Sequence, residues 1–192
     1  MSSFYSESEL DSLGLAEYGN DVKISTKVSL YDPEKISVGD NVRIDDFCLL
    51  SGDISIGSHV HIAPYCGLWG THGITMGDFS GLSSRVSIYS SSADLTGGSL
   101  TNPTVPERYR PNHITGPVTL GEHAVIGASS VILPDTTIET GAAVGALSLV
   151  RDREIPAWEV HLGTPTECVR QREKEEILQL EAEFLAEYRE TT

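Results

Sequence analysis

A six-residue period governs the middle of this chain. From Val38 the sequence reads VGDNVR-IDDFCL-LSGDIS-IGSHVH-IAPYCG-LWG, and an aliphatic side chain opens every block: Val38, Ile44, Leu50, Ile56, Ile62, Leu68. Two extra residues enter around Gly70–Gly73, and the phase resumes at Met76, Leu82 and Ile88. After a long interruption it returns at Leu120, Ile126, Ile132, Ile138, Val144 and Val150. Ile, Leu, Val and Met make up 48 of 192 residues. Two unbroken runs of six anchors would then arise by chance in about one chain in 500,000, so the pattern is a true internal repeat.

A period of six suits neither an isolated helix nor alternating hairpins. It suits a solenoid of short strands joined by tight turns. Three blocks make one triangular coil, so Ile56 is expected to stack on Val38, Ile62 on Ile44, Leu68 on Leu50, and Cys66 on Cys48. Glycine follows the anchor at Gly39, Gly57, Gly77, Gly121, Gly127 and Gly145. A small or apolar residue recurs four after the anchor. Both are expected at the corners, with glycine supplying positive φ there. Cys48 and Cys66 read as small buried hydrophobes.

The ends differ from the middle. Residues 1–21 read as an N-terminal segment with a short helix, with Ser6 and Glu9 as a capping box and Gly14 as a stop. Residues 22–163 carry the solenoid, broken by an inserted loop at about 89–117. Residues 164–192 read as a C-terminal helix, from about Thr166 to Arg189, with Val169, Ile177, Leu180, Phe184, Leu185 and Tyr188 along one side. Its expected role is a lid over the open end of the solenoid, with building an oligomer as the second choice.

Charge narrows the partners. Thirteen Lys and Arg against 28 Asp and Glu give a net charge of −15. That argues against nucleic acid and against an anionic membrane surface, but leaves room for a small anion held by a local Arg cluster. No apolar run is long enough to span a bilayer, and MSSFYSESELDSLG is no secretory signal. Three cysteines without a CxxC pair suit a reducing cytoplasm, so a cytoplasmic protein is expected.

The hexapeptide pattern over about residues 22–170 resembles the hexapeptide-repeat acyltransferases. The resemblance implies an all-β fold, a left-handed parallel β-helix with a long inserted loop and a C-terminal α-helix. It also implies a homotrimer with active sites between subunits. PVTLGEHAVIGASSVILPDTTIETGAAVGALSLV is similar to the last coils of galactoside- and maltose-type acetyltransferases. FYSESEL, ISVGDNVRIDDFCLLSG, GDFSGLSSRVSIYSSSADL and LTNPTVPE look like the nucleotide-sugar N-acyltransferases, those of the anthrose pathway among them. The implied reaction is transfer from acyl-CoA to the amine of a dTDP-linked amino-dideoxy sugar, in cell-surface glycan synthesis such as O-antigen and lipopolysaccharide. Acyl-CoA would be a cosubstrate, with no metal.

The galactoside and maltose enzymes place a His in a Gly-His-Pro segment just before the loop, and this chain has Ala93-Asp94-Leu95 there. A hydroxyl attacks a thioester poorly without such a base, whereas a neutral amine attacks and loses its proton late. The missing His favours N-acylation over the alternative, an O-acetyltransferase acting on a saccharide hydroxyl. That alternative would need a base, His113 or a His from a neighbouring chain.

Asp94 is the first candidate to orient the ammonium, or else a turn residue after Ser90-Ser91-Ser92. Glu107 is a second substrate contact, or else a solvated loop charge. Ser84, third in its hexapeptide, points outward and could donate to a sugar or a carbonyl. Tyr65 and Trp69 are candidates for the sugar-nucleotide side, by hydrogen bonding and stacking. By resemblance, Ala128 and Ala146 match positions where pantetheine lies along the solenoid. Arg151 matches a polar position after the last coil, and Arg170 a phosphate-binding position; another family Arg is Glu167 here. Eight of the thirteen cations follow residue 107: Arg108, Arg110, Arg151, Arg153, Arg170, Arg172, Lys174 and Arg189. Arg170 and Arg172 could otherwise lie on a solvated helix face. His59 with His61, and His113 with His123, lack convincing zinc spacing, which disfavours a hexapeptide carbonic anhydrase. A purely structural solenoid would need neither the loop nor the Arg-rich end.

Overall fold

A computed structural model describes residues 3–151 and 154–191, with side chains described through residue 188. The anchors all turn inward: Ile24, Ile44, Leu50, Ile62, Leu68, Ile88, Ile126, Ile132, Ile138 and Val150 are fully buried. Each such side chain contributes about 1.5–3 kcal/mol of burial. That, summed over the array, outweighs the weak intrinsic stability of strands this short.

The chain winds into three parallel faces. The first stacks Glu17–Tyr18, Ile36–Val38, the second half of Leu49–Ile56, the second half of Gly67–Met76, Val118–Leu120, Thr136–Ile138 and Glu154–Ile155. The second stacks Lys23–Ile24, Arg43–Ile44, His61–Ile62, Gly81–Leu82, Val125–Ile126, Ala143–Val144 and Glu159–Leu162. The third stacks Ser29–Tyr31, the first halves of Leu49–Ile56 and Gly67–Met76, Ser87–Tyr89, Val131–Ile132 and Leu149–Val150. Ile56 pairs with Val38, Ile62 with Ile44 and Leu68 with Leu50, as the period requires. Cys48 and Cys66 are buried, and each thiol donates to a backbone carbonyl, of Ala63 and Ser83.

The corners correct one expectation. Positive φ falls mostly on residues other than glycine, three after the anchor: Asn41, Phe47, His59, Tyr65, Phe79, Arg85, His123, Ser129 and Leu147. The glycines after the anchors serve close approach instead. A Cβ on Gly39 would come within 2.7 Å of the Gly57 carbonyl carbon, and one on Gly127 within 2.4 Å of the Ala146 nitrogen. Neighbouring coils touch there backbone to backbone.

The corner between the first and second faces carries a ladder of rings. His59 stacks on Phe79 at 4.7 Å, Phe79 on His123 at 5.1 Å, and Trp158 lies 6.2 Å beyond. Gly141 occupies the same corner between them, where any Cβ would strike the Trp158 ring.

The N-terminal helix ends earlier than the Gly14 stop suggests, at Asp11 with Ser12 as its C-cap. The helix Glu7–Asp11 carries the capping box, with the Ser6 N–H and hydroxyl both donating to Glu9. Leu10 is buried against the first coil.

The C-terminal segment departs further from its expected form. Its helix spans Glu175–Thr191, and Glu167–Gln171 is instead a strand, antiparallel to Glu159–Leu162. The last coil leaves an open strand edge, and the turn at Gly163, with φ +108, brings the chain back to pair with it. Val169 therefore lies on this strand and not on the helix. Nor is the helix an end lid. Glu181 meets His123 at 3.1 Å, Phe184 lies 6.0 Å from Phe79 and 5.1 Å from His59, and Tyr188 lies 5.2 Å from His59. Successive turns meet successively earlier coils, so the helix runs back along the ring ladder. Aromatic faces left at a corner are a better partner for its apolar side than the mostly hydrogen-bonded end coil.

Candidate functional site

The third residue of each block on the second face sits just before a corner. Asp46, Pro64, Ser84, Ala128 and Ala146 fill that place in successive coils, because Ile44, Ile62, Leu82, Ile126 and Val144 are stacked in register. The corner amides tie the line together. The Tyr65 N–H donates to the Asp46 carbonyl, Arg85 to Pro64, Ser129 to Ser84 and Leu147 to Ala128, at 2.9–3.1 Å. Ser84 is half-buried and Ala146 is exposed. A groove of about 400 Å³ runs beside Ser84, lined by His61, Ala63, Gly81, Leu82, Ser83 and Val125. Gly81 leaves it open, since a Cβ there would meet only the His61 carbonyl, at 3.6 Å.

His61 is a groove residue whose partner the sequence reading missed. Its Nε2 lies 2.8 Å from Asp45 Oδ2, and the Arg43 Nε–H donates to Asp45 Oδ1 at 2.8 Å. Burial alone would raise the Asp45 carboxyl, but the hydrogen bonds from His61 and Arg43 outweigh it and hold the group below the usual carboxylate range. The alternation of Arg43, Asp45 and His61 on outward positions of adjacent coils was the available signal.

The inserted loop carries regular structure of its own. Ser91–Ser92 pairs antiparallel with Ile114–Thr115 as a clasp at its base, and Glu107–Tyr109 forms a 3-10 turn. Asp94 is buried inside it. Its carboxylate accepts the Thr96 hydroxyl at 2.6 Å, the Thr96 N–H at 2.8 Å and the Gly98 N–H at 2.9 Å. Those bonds from Thr96, then Gly98 and Asn112, hold it ionised below its ordinary range. Glu107 is exposed on the outer part of the loop. His113 Nε2 accepts from the Arg110 guanidinium at 3.1 Å, so its lone pair is already engaged.

The remaining candidates separate. Tyr65 stacks on Phe47 at 5.1 Å on the corner below Ser84. Trp69 lies on the third face, stacked on Tyr89 at 4.5 Å and covering Gly67. Arg151 is exposed at the end of the last coil, and Arg170 is exposed on the added strand. Arg172 follows that strand and is structural, donating to the His123 and Gly141 carbonyls at 2.8 Å each. Arg153 and the side chain of Arg189 lie outside the described residues. Ser84 stands just before the corner that leads into the Ser87–Tyr89 strand, and Asp94 lies in the loop that follows that strand.

His59 and His61 do not converge, since His59 faces the ring ladder and His61 faces Asp45, and His113 meets Arg110 while His123 lies on the ring ladder. Glu159, His161 and Cys168 do converge across the end hairpin, with donor atoms within 4.8 Å of one another. Among the described residues no helix is long and apolar enough to cross a membrane.

Three comparisons bear on this geometry. Residues 35–68 match the model for the bacterial transferase hexapeptide (six repeats). A dTDP-4-amino-4,6-dideoxy-D-glucose acyltransferase of Escherichia coli is 42% identical over 184 residues, covering 94% of each chain. AntD, an N-acyltransferase from Bacillus cereus, was solved with dTDP and 3-hydroxybutyryl-CoA. It is 45% identical, with a TM-score of 0.95 over 98% of this chain and 100% of that one. Its S84C variant, in its own numbering, was solved with dTDP-4-amino-4,6-dideoxyglucose and coenzyme A. That structure is also 45% identical, with a TM-score of 0.94 over 97% and 99%. The solenoid is thus the left-handed parallel β-helix expected.

Proposed function

This chain belongs to the hexapeptide-repeat acyltransferases, in the branch of the dTDP-4-amino-4,6-dideoxyglucose acyltransferases, and we propose that it transfers an acyl group from acyl-CoA to the amine of a dTDP-linked amino-dideoxy sugar. The observation that carries the reading is the single line of third-position residues along the second face. It gives an extended cosubstrate a straight track on the Ala128 and Ala146 side and an acceptor a groove on the other, with Ser84 between them.

The chemistry asks little of the protein. The neutral amine attacks the thioester carbon, a C–N bond forms, and negative charge gathers on the carbonyl oxygen. In this reading the Ser84 hydroxyl donates to that oxygen. The C–S bond then breaks, and the amine proton passes to the departing thiolate, yielding an amide and free CoA thiol. This route needs no imidazole base, in keeping with a His113 lone pair already held by Arg110. Asp94, with Glu107 nearer the rim of the loop, orients the ammonium before it loses its proton. Both come from a neighbouring copy, as the active sites between subunits implied by the family resemblance suggest. A homotrimer in the cytoplasm, working in cell-surface glycan synthesis of the O-antigen kind, suits such a composite site. Arg151 and Arg170 take the CoA phosphates at the C-terminal end of the track.

A thiol-release assay tests the reading, pairing acetyl- and longer acyl-CoAs with dTDP-amino sugars and plain glycosides. Turnover is expected with the amino sugars. Turnover confined to hydroxyl acceptors overturns it.

A further inference from the structure

The last coil breaks the rule that builds the solenoid. Along the second face Ile24, Ile44, Ile62, Leu82, Ile126 and Val144 stand one over the next, each an inward aliphatic anchor. The next place in that column is His161, paired with Val144 and only 6% exposed. An imidazole there gives up the burial that an aliphatic anchor provides, and it must find partners for two nitrogens. It finds one. Nε2 lies 2.8 Å from Glu159 Oε2, and among the described residues Nδ1 has no hydrogen-bond partner.

The strand that closes this coil is arranged around the same point. Every residue of Glu167–Gln171 is exposed, so no side-chain burial holds it against Glu159–Leu162. Its pairing steps from Arg170 opposite Val160 to Cys168 opposite His161, which makes Val169 an extra residue. Such a bulge re-aims the side chains beside it. Without it Val169, not Cys168, would stand opposite His161. The result is a carboxylate, an imidazole and a thiol with donor atoms within 4.8 Å of one another. Gln171 Nε2 donates to the other oxygen of Glu159 at 3.2 Å. It steadies that carboxylate from behind, as outer-shell partners of metal ligands do.

We propose that Glu159, His161 and Cys168 bind one divalent cation of the zinc type, which clips the end hairpin to the last coil. Thiolate, imidazole and carboxylate together suit Zn²⁺, whereas Mg²⁺ and Ca²⁺ take oxygen ligands. Bonds of about 2.0–2.3 Å put tetrahedral zinc ligands about 3.3–3.8 Å apart, a spacing within reach of these three donors. Water takes the fourth position, because Cys168 opens to solvent. On binding, the Cys168 S–H bond breaks, its proton leaves to solvent and a Zn–S bond forms. The ion supplies the cross-strand link that side-chain packing does not. It takes no part in acyl transfer, and the inference does not rest on that reading.

The test uses the full chain, stripped of metal by a chelator and titrated calorimetrically with zinc chloride alone. One ion per chain is expected. Cys168→Ser and His161→Leu should each weaken it about tenfold or more, at least the loss that removal of an outer-shell partner brings. His161→Leu returns the column to the aliphatic type of the coils before it, so it should fold, and a melt without metal checks this. Cobalt chloride in place of zinc should give wild type a thiolate-to-cobalt charge-transfer band that Cys168→Ser abolishes. Zinc should also slow amide exchange across residues 167–171 in wild type but not in Cys168→Ser. No zinc uptake by wild type, wild-type affinity in either variant, or cobalt bound without that band overturns the site. Exchange that zinc does not slow overturns the clip.

Discussion

The backbone N–H of Ser129 donates to the carbonyl of Ser84 at 3.0 Å, which fastens Ser84 to the coil that carries Ala128. Its side chain therefore stands on a rigid corner at the midpoint of the line from Asp46 to Ala146. A hydroxyl held there needs no reorganisation to meet a developing oxyanion. Ser84→Ala should lower kcat by about a hundredfold, the usual loss for one oxyanion donor. The KM for either substrate should change little. Steady-state kinetics with saturating acyl-CoA measure this, and a variant with wild-type kcat would refute the role.

Close approach, not positive φ, is what the glycines after the anchors provide. A methyl on Gly127 would sit 2.4 Å from the Ala146 nitrogen and 2.6 Å from the Gly145 carbonyl carbon, and backbone cannot rotate away. Gly127→Ala should cost about 1–3 kcal/mol of overpacking, a fall in Tm of roughly 2–12 °C for a chain of this size. Gly81→Ala lies in the same array but meets only one carbonyl, at 3.6 Å. Differential scanning calorimetry should separate the two variants clearly.

The coils were legible because one inward side chain per face repeats at a fixed interval, and burial enforces that interval at Val38, Ile44 and every later anchor. The corner ladder was written in the sequence too, at His59, Phe79, His123 and Trp158, but on a rhythm stretched by insertions. The helix it receives was seen from its apolar spacing, yet its dock was not, since helical periodicity says which side is apolar and not what covers it. Residues 167–171 escaped because an edge strand is defined by the backbone it pairs with. Asp94 was legible as a loop carboxylate, while its bonds to Thr96 and Gly98 arise only once the loop closes.

That dock makes a prediction. Phe184 touches both Phe79 and His59, and Tyr188 completes the contact. Phe184 is partly exposed, so Phe184→Ala should cost about 1–2 kcal/mol, below the range for a fully buried ring. Amide exchange should rise along residues 175–188 and remain slow in the coils. Equal loosening of helix and solenoid would show that the helix is not a separately docked unit.

Asp45 predicts a pH dependence. Its folded carboxyl is held below the unfolded value by His61 and Arg43, so its stabilisation is present above the unfolded pKa, about 3.9. It is lost as pH falls through the lowered folded value. Asp45→Asn should therefore be less stable than wild type near neutrality, by about 1 kcal/mol once screening at the exposed His61 end is allowed for. The gap should begin to narrow below about pH 4 and close only below the lowered folded value. Urea melts across that range measure the gap, and a difference that grows on acidification would contradict the pairing.

Asp94 allows the proton route to be tested directly. Thr96, Gly98 and Asn112 keep its carboxylate ionised well into the acid range, so it has no proton to exchange in the region where the enzyme is assayed. An acid limb in kcat/KM between pH 5.5 and 9 is then expected from the acceptor, which attacks only as the free amine, and not from Asp94. Asp94→Asn removes the charge proposed to attract the ammonium and sets an amide donor where Oδ2 now accepts the Gly98 N–H. It should lower kcat/KM for the amino sugar at least tenfold across the whole range without moving the limb. Changing the acceptor to an amine of different pKa should move the limb by that difference in both proteins. If the limb instead vanishes in Asp94→Asn, the carboxylate is itself the titrating base, and the late passage of the proton to the thiolate is wrong.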